Sequence, residues 1–256
     1  MYKLLRNTFY YYLKGSNEAG SSATNPFVVR KIQRNPNFTR LISFPRTGSH
    51  WLRMIMELYF ERPTLIRSFY YHRSNDYLCL HSHDIDRTMA STLNVIYLYR
   101  DPVDTIYSQM QYYNENTTEK GRIIYWSQEY AKHLNKWLVE ENFTKSKTII
   151  KYENLKENPY DEFAKICSHF NASLDNQKID KAILSSSKAK LKSKTLHDPQ
   201  VINLKDEYEH GRWQFREANL ELITAIVSSI MGEQFKNFFE QTTESKAPSQ
   251  RLNQPQ

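Results

Sequence analysis

The stretch Leu41–Met54, LISFPRTGSHWLRM, decides the fold of this sequence. Leu41–Phe44 is a short apolar run of the kind found in a buried strand. Ser49–Phe60 is apolar nearly all round, which is typical of a helix packed on several sides. A helix N-terminus that follows a strand presents backbone N–H groups and a positive dipole end, and both favour an anion. An ordinary turn with Ser49 as the helix cap is the alternative.

The loop between this strand and this helix lacks the pattern G-x-x-x-x-G-K-[ST] of a loop that binds nucleoside triphosphates. It has a single glycine, Gly48, no lysine after it, and Pro45 where such a loop is flexible. Gly48 allows a ligand to approach the backbone closely. The neighbouring side chains add hydrogen-bond donors and one fixed positive charge: Arg46, Thr47, Ser49 and His50. We therefore expect an anion-binding loop that is too short to surround a triphosphate.

Further apolar runs predict more strands, and the segments between them predict helices. The strands are expected at Tyr77–Leu80, Val95–Tyr99 and Thr148–Tyr152. The helices are expected from Asp101-Pro102, at Ile123–Glu140, from Asn158-Pro159 and at Ala218–Met231. This alternation predicts a single α/β domain with a central parallel β-sheet and helices on both faces. Ligands of such sheets bind at the carboxyl ends of the strands.

Composition divides the chain into three parts. Residues 1–26 are expected to form an N-terminal helix and a flexible linker, residues 27–240 the folded domain, and residues 241–256 a disordered tail. The N-terminal MYKLLRNTFYYYLKG can dock on the domain or make a peripheral membrane contact. No run approaches the ~20 apolar residues of a membrane span.

The charge balance favours an anionic partner. The net charge is +7, from 35 Lys and Arg against 28 Asp and Glu, which does not choose among nucleotide, nucleic acid, acidic glycan and membrane surface. Cys79 and Cys167 stand in unrelated contexts that build neither a zinc site nor a disulfide framework. We therefore expect a reducing, cytoplasmic location.

Arg100 and Ser108 form a second candidate anion site. Arg100 follows the clearest predicted strand, and Ser108 lies seven residues after Asp101, close to two helical turns. An arginine at a strand end with a hydroxyl beside it can hold a second phosphate. A buried Arg100 that pairs with Asp101 or Asp104 is an equal alternative.

Two histidines follow the second predicted strand. His81 and His83 alternate with Ser82, so both point to the same side of an extended chain. They could ligate a metal, but no third ligand is apparent. Their position beside the carboxyl end of a strand favours a general base, although a structural histidine is the more common case.

Three other features lie near the same edge. Tyr152 ends a predicted strand, and its ring can stack on a base or belong to the rim of the domain. The lysine-rich segment Ser185–Lys194, SSSKAKLKSK, is a solvated loop or a lid over an anionic site. HGRWQF, His210–Phe215, adds aromatic and basic residues after it.

These pieces, in this order, resemble the sulfotransferases that use 3′-phosphoadenosine 5′-phosphosulfate. Phe44–Trp51, FPRTGSHW, resembles their 5′-phosphosulfate loop, and Val95–Ser108, VIYLYRDPVDTIYS, resembles their 3′-phosphate motif. KYENLKENP, Lys151–Pro159, resembles the Y-E-[DN]-L-x-x-x-P stretch, and HGRWQF resembles the C-terminal G-x-W segment. The likeness covers about Leu41–Phe239 and implies a P-loop-like sulfotransferase fold.

The resemblance also implies roles for single residues. The 5′-phosphosulfate would be cradled by Thr47, Gly48, Ser49 and His50, with Trp51 and Tyr152 near the adenine. Arg100 and Ser108 would hold the 3′-phosphate. His83 would be the catalytic base, with His81 next in line.

The sequence departs from the family pattern at two places. Arg46 stands where most members have lysine; it can hold the bridging oxygen, but it is always charged and is a poor proton donor. The R-K-G that usually precedes G-x-W is missing, so Arg212, Lys205 or the lysine-rich segment would contact the 3′-phosphate instead.

The sequence thus predicts a sulfotransferase that moves a sulfuryl group from 3′-phosphoadenosine 5′-phosphosulfate to an acceptor hydroxyl and releases 3′,5′-ADP. The acceptor is expected to be a small molecule or glycan, carbohydrate or lipid-linked, and not a nucleic acid. No metal is expected, because Arg46 and the loop supply the charge that Mg²⁺ supplies in kinases. The alternatives are a P-loop kinase and a nucleotide- or glycan-binding protein without turnover.

Overall fold

The computed structural model describes residues 26–65, 68–71, 76–89, 93–140, 146–187 and 207–239. The expected N-terminal helix and linker up to residue 25, most of the lysine-rich segment, Lys205 and the polar tail lie outside these ranges. Within them, no helix is long and apolar enough to cross a membrane.

The described strands form one four-stranded, fully parallel sheet. They are β1 (Arg40–Ser43), β2 (Leu80–Ser82), β3 (Asn94–Tyr99) and β4 (Ser146–Lys151), in the spatial order β2-β1-β3-β4. The chain leaves β1 in one direction to form β2, and β3 then pairs on the other side of β1. The strand order therefore reverses at β1, and a crevice for a ligand is expected between the carboxyl ends of β1 and β3.

The helices surround this sheet. They are α1 (Pro26–Gln33), α2 (Ser49–Phe60), α3 (Pro102–Tyr112), α4 (Lys120–Leu134), α5 (Tyr152–Glu157), α6 (Pro159–His169), α7 (Asn176–Ser185), α8 (Glu207–Met231) and α9 (Gln234–Phe239), with a π-helical turn at Asn135–Val139 after α4. The predicted cap of α3 is confirmed, because the Asp101 carboxylate accepts a hydrogen bond of 3.0 Å from the Asp104 backbone N–H.

The side chains of successive strand residues are buried on opposite faces of the sheet. Ile42 and Tyr97 pack with buried residues of α3, α4 and α8, whereas Leu41 and Ile96 pack with buried residues of α2, α6 and α7. This is the period-two alternation of a strand covered on both sides. The predicted α/β fold, with a parallel sheet and helices on both faces, is confirmed.

The first strand was expected at Leu41–Phe44 and runs from Arg40 to Ser43. Two other predicted strands differ in ways that matter for the site. The second strand was expected at Tyr77–Leu80 but runs from Leu80 to Ser82, because pairing with β1 places His81 opposite Leu41 and Ser82 opposite Ile42. Tyr152 was expected to end the fourth strand, but it begins α5. Both corrections move candidate site residues relative to the sheet edge.

Two predicted helices also differ. The final helix begins at Glu207 and not at Ala218, so it also contains HGRWQF. Ile123–Glu140 is not one regular helix, because its last turn widens into the π-helical turn that carries Lys136 and Trp137. Such turns are often found at functional sites.

Candidate active site

A cavity of about 940 Å³ lies at the carboxyl edge of the sheet. Segments that follow all four strands contribute to its wall. All the predicted site residues except Thr47 line it: Arg46, Gly48, Ser49, His50, Trp51, His83, Arg100, Ser108, Tyr152 and Arg212. The fold therefore brings together segments that lie more than 160 residues apart in the sequence, at the crevice expected from the strand order.

The loop after β1 takes its shape from its backbone. Arg46 and Gly48 both have positive φ angles, of 69° and 96°. A Cβ atom at Gly48 would lie 2.4 Å from two ring carbons of Tyr152, so only glycine fits beneath that ring. The Thr47 hydroxyl is fully buried and donates to the Phe44 carbonyl at 2.8 Å. Thr47 thus braces the loop from inside, and its side chain does not face the cavity.

The N-terminus of α2 opens from this loop. Gly48 occupies the N-cap position and supplies no side-chain cap, and the first helical hydrogen bond runs from the Leu52 N–H to the Gly48 carbonyl. The alternative of an ordinary turn capped by Ser49 is therefore not what the structure has. A helix start without a side-chain cap suits an anion.

Arg46 connects the loop to α3. Its Nε donates to the Ser108 hydroxyl at 3.2 Å, and its guanidinium lies 5.0 Å from the centre of the Tyr112 ring. Burial lowers the pKa of Arg46, and the nearby charge of Arg100 lowers it further. The two predicted anion-binding segments are thus in direct contact.

Arg100 is buried at the end of β3, with 9% of its surface exposed. Its guanidinium donates to the Arg46 carbonyl and to Asp104, both at 3.3 Å, and lies 4.7 Å from the centre of the Tyr152 ring. Burial opposes its charge, but Tyr152 and Asp104 outweigh burial and raise the pKa of Arg100. Its Nε is buried without a hydrogen-bond partner among the described residues. Arg100 therefore pairs with Asp104, as one of the two alternatives expected, and it also lines the cavity. That it holds a phosphate stays a prediction.

Asp104 is the centre of a network of charges. It accepts hydrogen bonds from Arg100, Arg212 and Arg216, each at 3.3 Å. Arg216 also donates two hydrogen bonds to the Asp101 carboxylate, from Nη1 to Oδ1 at 2.9 Å and from Nη2 to Oδ2 at 3.0 Å. The sequence interpretation missed Arg216; its only local signal is that it lies four residues after Arg212, on the same helical stripe.

Of the two histidines, His83 lines the cavity. Its Nδ1 lies 2.8 Å from the Ser43 carbonyl oxygen, which can only accept a hydrogen bond. Nδ1 therefore carries the proton of the neutral ring, and Nε2 keeps the lone pair. Burial lowers the pKa of His83, and the charges of Arg53 and Arg46 lower it further, so the ring is neutral at pH 7.

His81 lies within β2 and has a different environment. Its Nε2 is 3.2 Å from the Ser43 hydroxyl oxygen, and its ring packs edge-on against that of His83. Burial lowers the pKa of His81 well below its ordinary value. It does not line the cavity.

A second group of buried residues holds the chain around His83. His133 Nε2 donates to the His83 carbonyl at 2.8 Å, and its Nδ1 accepts from the Tyr97 hydroxyl at 2.9 Å. Burial lowers the pKa of His133 to about 3. Next to it, Lys136 and Asp84 form a buried ion pair of 2.7 Å. The sequence interpretation missed these partners, although His133 and Lys136 stand out as polar residues on the apolar side of the predicted helix.

Trp51 and Tyr152 form an aromatic corner of the cavity. Their ring centres are 5.8 Å apart and the rings meet at 68°. Next to them, Glu153 accepts a hydrogen bond of 3.0 Å from the Asp101 N–H, and burial raises the pKa of Glu153. Among the described residues, no three or more His, Cys, Asp or Glu side chains are grouped to hold a metal ion.

One family of known proteins matches a range of the chain that contains three of the four motifs. Residues 80–220, more than half of the chain, match the family described as "Sulfotransferase domain". The matched range includes His83, Arg100 and Ser108 and excludes the loop after β1. No curated protein matches the sequence. Among solved structures, the chain is similar to mouse sulfotransferase SULT7A1 complexed with PAP, with 14% identity over 76% of this chain and 88% of that chain and a TM-score of 0.45.

Proposed function

The chain belongs to the sulfotransferase domain family, and we propose that it transfers a sulfuryl group from 3′-phosphoadenosine 5′-phosphosulfate to an acceptor hydroxyl with His83 as the base. One observation carries this proposal. A neutral histidine, fixed through Nδ1 on the Ser43 carbonyl, lines the same cavity as Arg46, Ser108 and Arg100. A base and two sites for anions are the parts that such a transfer needs.

The residues present fit a nucleotide that is phosphorylated at both ends. The buried Nε of Arg100 is without a hydrogen-bond partner among the described residues, and an anionic oxygen would supply one. Arg100 and Ser108 would hold the 3′-phosphate, while the loop from Arg46 to His50 would hold the 5′-phosphosulfate. Trp51 and Tyr152 would flank the adenine. When bound, this donor supplies a sulfuryl group whose bond to the bridging phosphate oxygen breaks, so that 3′,5′-ADP leaves.

His83 would act on the acceptor. Its Nε2 would take the proton of the acceptor hydroxyl, whose oxygen would attack the sulfuryl group. The hydrogen bond to Ser43 holds the tautomer in which Nε2 is the basic nitrogen. His133 holds the backbone of the same residue through the His83 carbonyl.

Arg46 would stabilise the negative charge that develops on the bridging oxygen. It is partly buried, and a fixed charge in a low-dielectric site interacts more strongly than in water. Because a guanidinium does not give up its proton, the leaving oxygen is stabilised by charge and not by general-acid assistance.

The acceptor hydroxyl is proposed to belong to a carbohydrate or a lipid-linked sugar, and exposed tyrosines in the cavity wall, Tyr112 and Tyr113, support this. The cytoplasmic location expected from the sequence stays a prediction. So does peripheral membrane contact through the N-terminal segment.

The test is single-turnover transfer of labelled sulfuryl to a panel of hydroxyl acceptors, with wild type and His83→Ala. We expect His83→Ala to lower turnover by about 10²- to 10⁴-fold, because a positioned base contributes this much. Its affinity for 3′,5′-ADP, measured by calorimetry, should stay near that of wild type. His210→Ala is the matched control, since His210 is exposed and does not line the cavity.

Normal turnover of His83→Ala would move the base elsewhere, with His81 as the next candidate. Nucleotide binding without transfer to any acceptor would favour a binding protein, and Mg²⁺-dependent transfer from ATP would favour a kinase. The pH profile is a second measurement. Because burial lowers the pKa of His83, kcat/KM should be level near pH 7 and should fall only below the ordinary histidine value of about 6.5.

A further inference from the structure

Gln109 is a cavity residue that the proposed donor chemistry leaves unused. It lies on α3, is 1% exposed and lines the cavity. Its Oε1 is buried without a hydrogen-bond partner among the described residues. A buried polar atom without a partner costs free energy, so we expect a ligand to supply the missing partner.

Gln109 lies between two residues of α3 that contact Arg46, the residue proposed to stabilise the bridging oxygen. It follows Ser108, whose hydroxyl contacts Arg46, and it lies one turn before Tyr112, whose ring packs against the Arg46 guanidinium. A phosphate or sulfate oxygen cannot satisfy the Gln109 oxygen, because both groups are hydrogen-bond acceptors. The missing partner is therefore a hydrogen-bond donor. A hydroxyl of the acceptor molecule and a donor group of the nucleotide both qualify, and the affinity of a Gln109 variant for 3′,5′-ADP distinguishes them.

Two tyrosines extend the same wall toward solvent. Tyr112 and Tyr113 line the cavity and are 44% and 53% exposed. The Tyr113 ring stacks on Trp126 with ring centres 5.6 Å apart and an angle of 4° between the planes, which leaves its other face toward solvent. Such rings offer a flat apolar face with a hydroxyl at its edge. Neither tyrosine nor Gln109 carries a charge.

We propose that Gln109, Tyr112 and Tyr113 form the acceptor subsite, and that the acceptor is a neutral sugar ring with neighbouring hydroxyl groups. The amide of Gln109 offers one acceptor and two donors, which match a hydroxyl next to the one that receives the sulfuryl group. The tyrosine rings pack against the apolar C–H face of the sugar. This inference rests on the proposed function and names the substrate class for the same site.

Two probes of similar size test the subsite: methyl glucopyranoside and cyclohexylmethanol. Both carry a hydroxymethyl group on a six-membered ring, but cyclohexylmethanol lacks the hydroxyl groups on the ring itself. Wild type should prefer the glycoside in kcat/KM by at least about tenfold, because a site built to bond a hydroxyl rejects an analogue that lacks it. Methyl galactopyranoside and methyl N-acetylglucosaminide widen the panel if the glucoside stereochemistry does not fit.

The decisive variant is Gln109→Leu. We expect its kcat/KM for the glycoside to fall about 10- to 100-fold, chiefly through KM, while kcat/KM for cyclohexylmethanol stays level or rises. Its affinity for 3′,5′-ADP should be unchanged, which also reports that the variant is folded. Gln111→Leu is the control, because Gln111 is exposed on the same helix and does not line the cavity. Tyr113→Ala should lower kcat/KM for both probes, since it removes packing and not hydrogen bonding.

Equal use of the glycosides and cyclohexylmethanol by wild type, or an unchanged preference in Gln109→Leu, would overturn the subsite. Transfer to cyclohexylmethanol and to none of the glycosides would also overturn the subsite, but it would agree with the proposed sulfotransferase function. Absence of 3′,5′-ADP binding together with absence of transfer to every acceptor would overturn the proposed function and this inference with it.

Discussion

The loop after β1 and the start of α3 after β3 face the same cavity, but the first is shaped by its backbone and the second by paired charges. In the loop, two positive φ angles and the contact between Gly48 and the Tyr152 ring set the shape. At α3, Arg100, Arg212 and Arg216 share the carboxylate of Asp104.

This difference predicts that nucleotide binding responds differently to substitutions in the two regions. A backbone-built site has one conformation, so a single added atom can abolish it. A charge-built site responds in steps, because each ion pair adds or removes part of the field and salt screens the exposed part of it. We therefore propose that backbone geometry holds the 5′ end of a doubly phosphorylated nucleotide and that charged side chains hold its 3′ end.

Gly48→Ala should have the largest effect. The new Cβ atom would lie 2.4 Å from the Tyr152 ring at a φ of 96°. We expect the variant to lose about 2–4 kcal/mol of unfolding free energy from strain and from displacement of the ring. Binding of both 3′,5′-ADP and 5′-AMP, measured by calorimetry, should be lost. Thermal denaturation reports the stability.

Gly121→Ala is the matched control, because no atom lies within 4 Å of the position of its new Cβ atom and alanine favours a helix. The double variant Gly48→Ala/Tyr152→Ala separates the two causes. It removes the clash but keeps the positive φ, so it should recover part of the lost stability. Wild-type nucleotide binding by Gly48→Ala alone would show that the loop is not fixed by its backbone.

Arg100→Ala should have a smaller and more selective effect. Loss of one buried, charge-assisted contact is expected to weaken 3′,5′-ADP binding about 10- to 100-fold. Binding of 5′-AMP, which lacks the 3′-phosphate, should change little. The ratio of the two dissociation constants therefore isolates the 3′ end.

Lys132→Ala serves as the control for loss of one positive charge, because Lys132 is exposed and pairs with Glu129 on the surface. Rising salt should weaken 3′,5′-ADP binding to wild type more steeply than to Arg100→Ala. An unchanged ratio between the two nucleotides in Arg100→Ala would place the 3′-phosphate at another site, with Arg212 as the first alternative.

The same contrast explains what could be predicted from the sequence. The loop after β1 and the helix Ser49–Phe60 follow from a local pattern, and the helix has the predicted bounds. β3 is likewise a β-branched and aromatic run that stands out on its own. Local chemistry decides these elements, so neighbouring residues are enough to identify them.

Contacts between distant segments could not be predicted in this way. β2 has three residues, and its position depends on pairing with β1 and not on its own composition. Arg216 reaches Asp104 across 112 positions, and His133 reaches the His83 carbonyl across 50. No local pattern encodes such partners, so the charge-built end of the site and the support of His83 appear only in the folded chain.

Asp104→Asn should have the smallest effect, and its sign is opposite to that of Arg100→Ala. Asp104 takes part of the hydrogen-bonding capacity of Arg100 and Arg212, and its negative charge opposes a phosphate. Neutralising it should tighten 3′,5′-ADP binding by about two- to fivefold at low salt, and the gain should shrink as salt rises. Glu209→Gln is the matched control, because Glu209 also pairs with Arg212 but is more exposed.

If release of 3′,5′-ADP limits the rate, tighter product binding in Asp104→Asn should also lower kcat. Stopped-flow release of the nucleotide measures this step directly. Weaker binding by Asp104→Asn would have a different meaning. It would show that Asp104 chiefly orients Arg100 toward the phosphate and competes little with the phosphate for Arg100. The charge-built end of the site would then depend on fixed geometry, as the loop after β1 does.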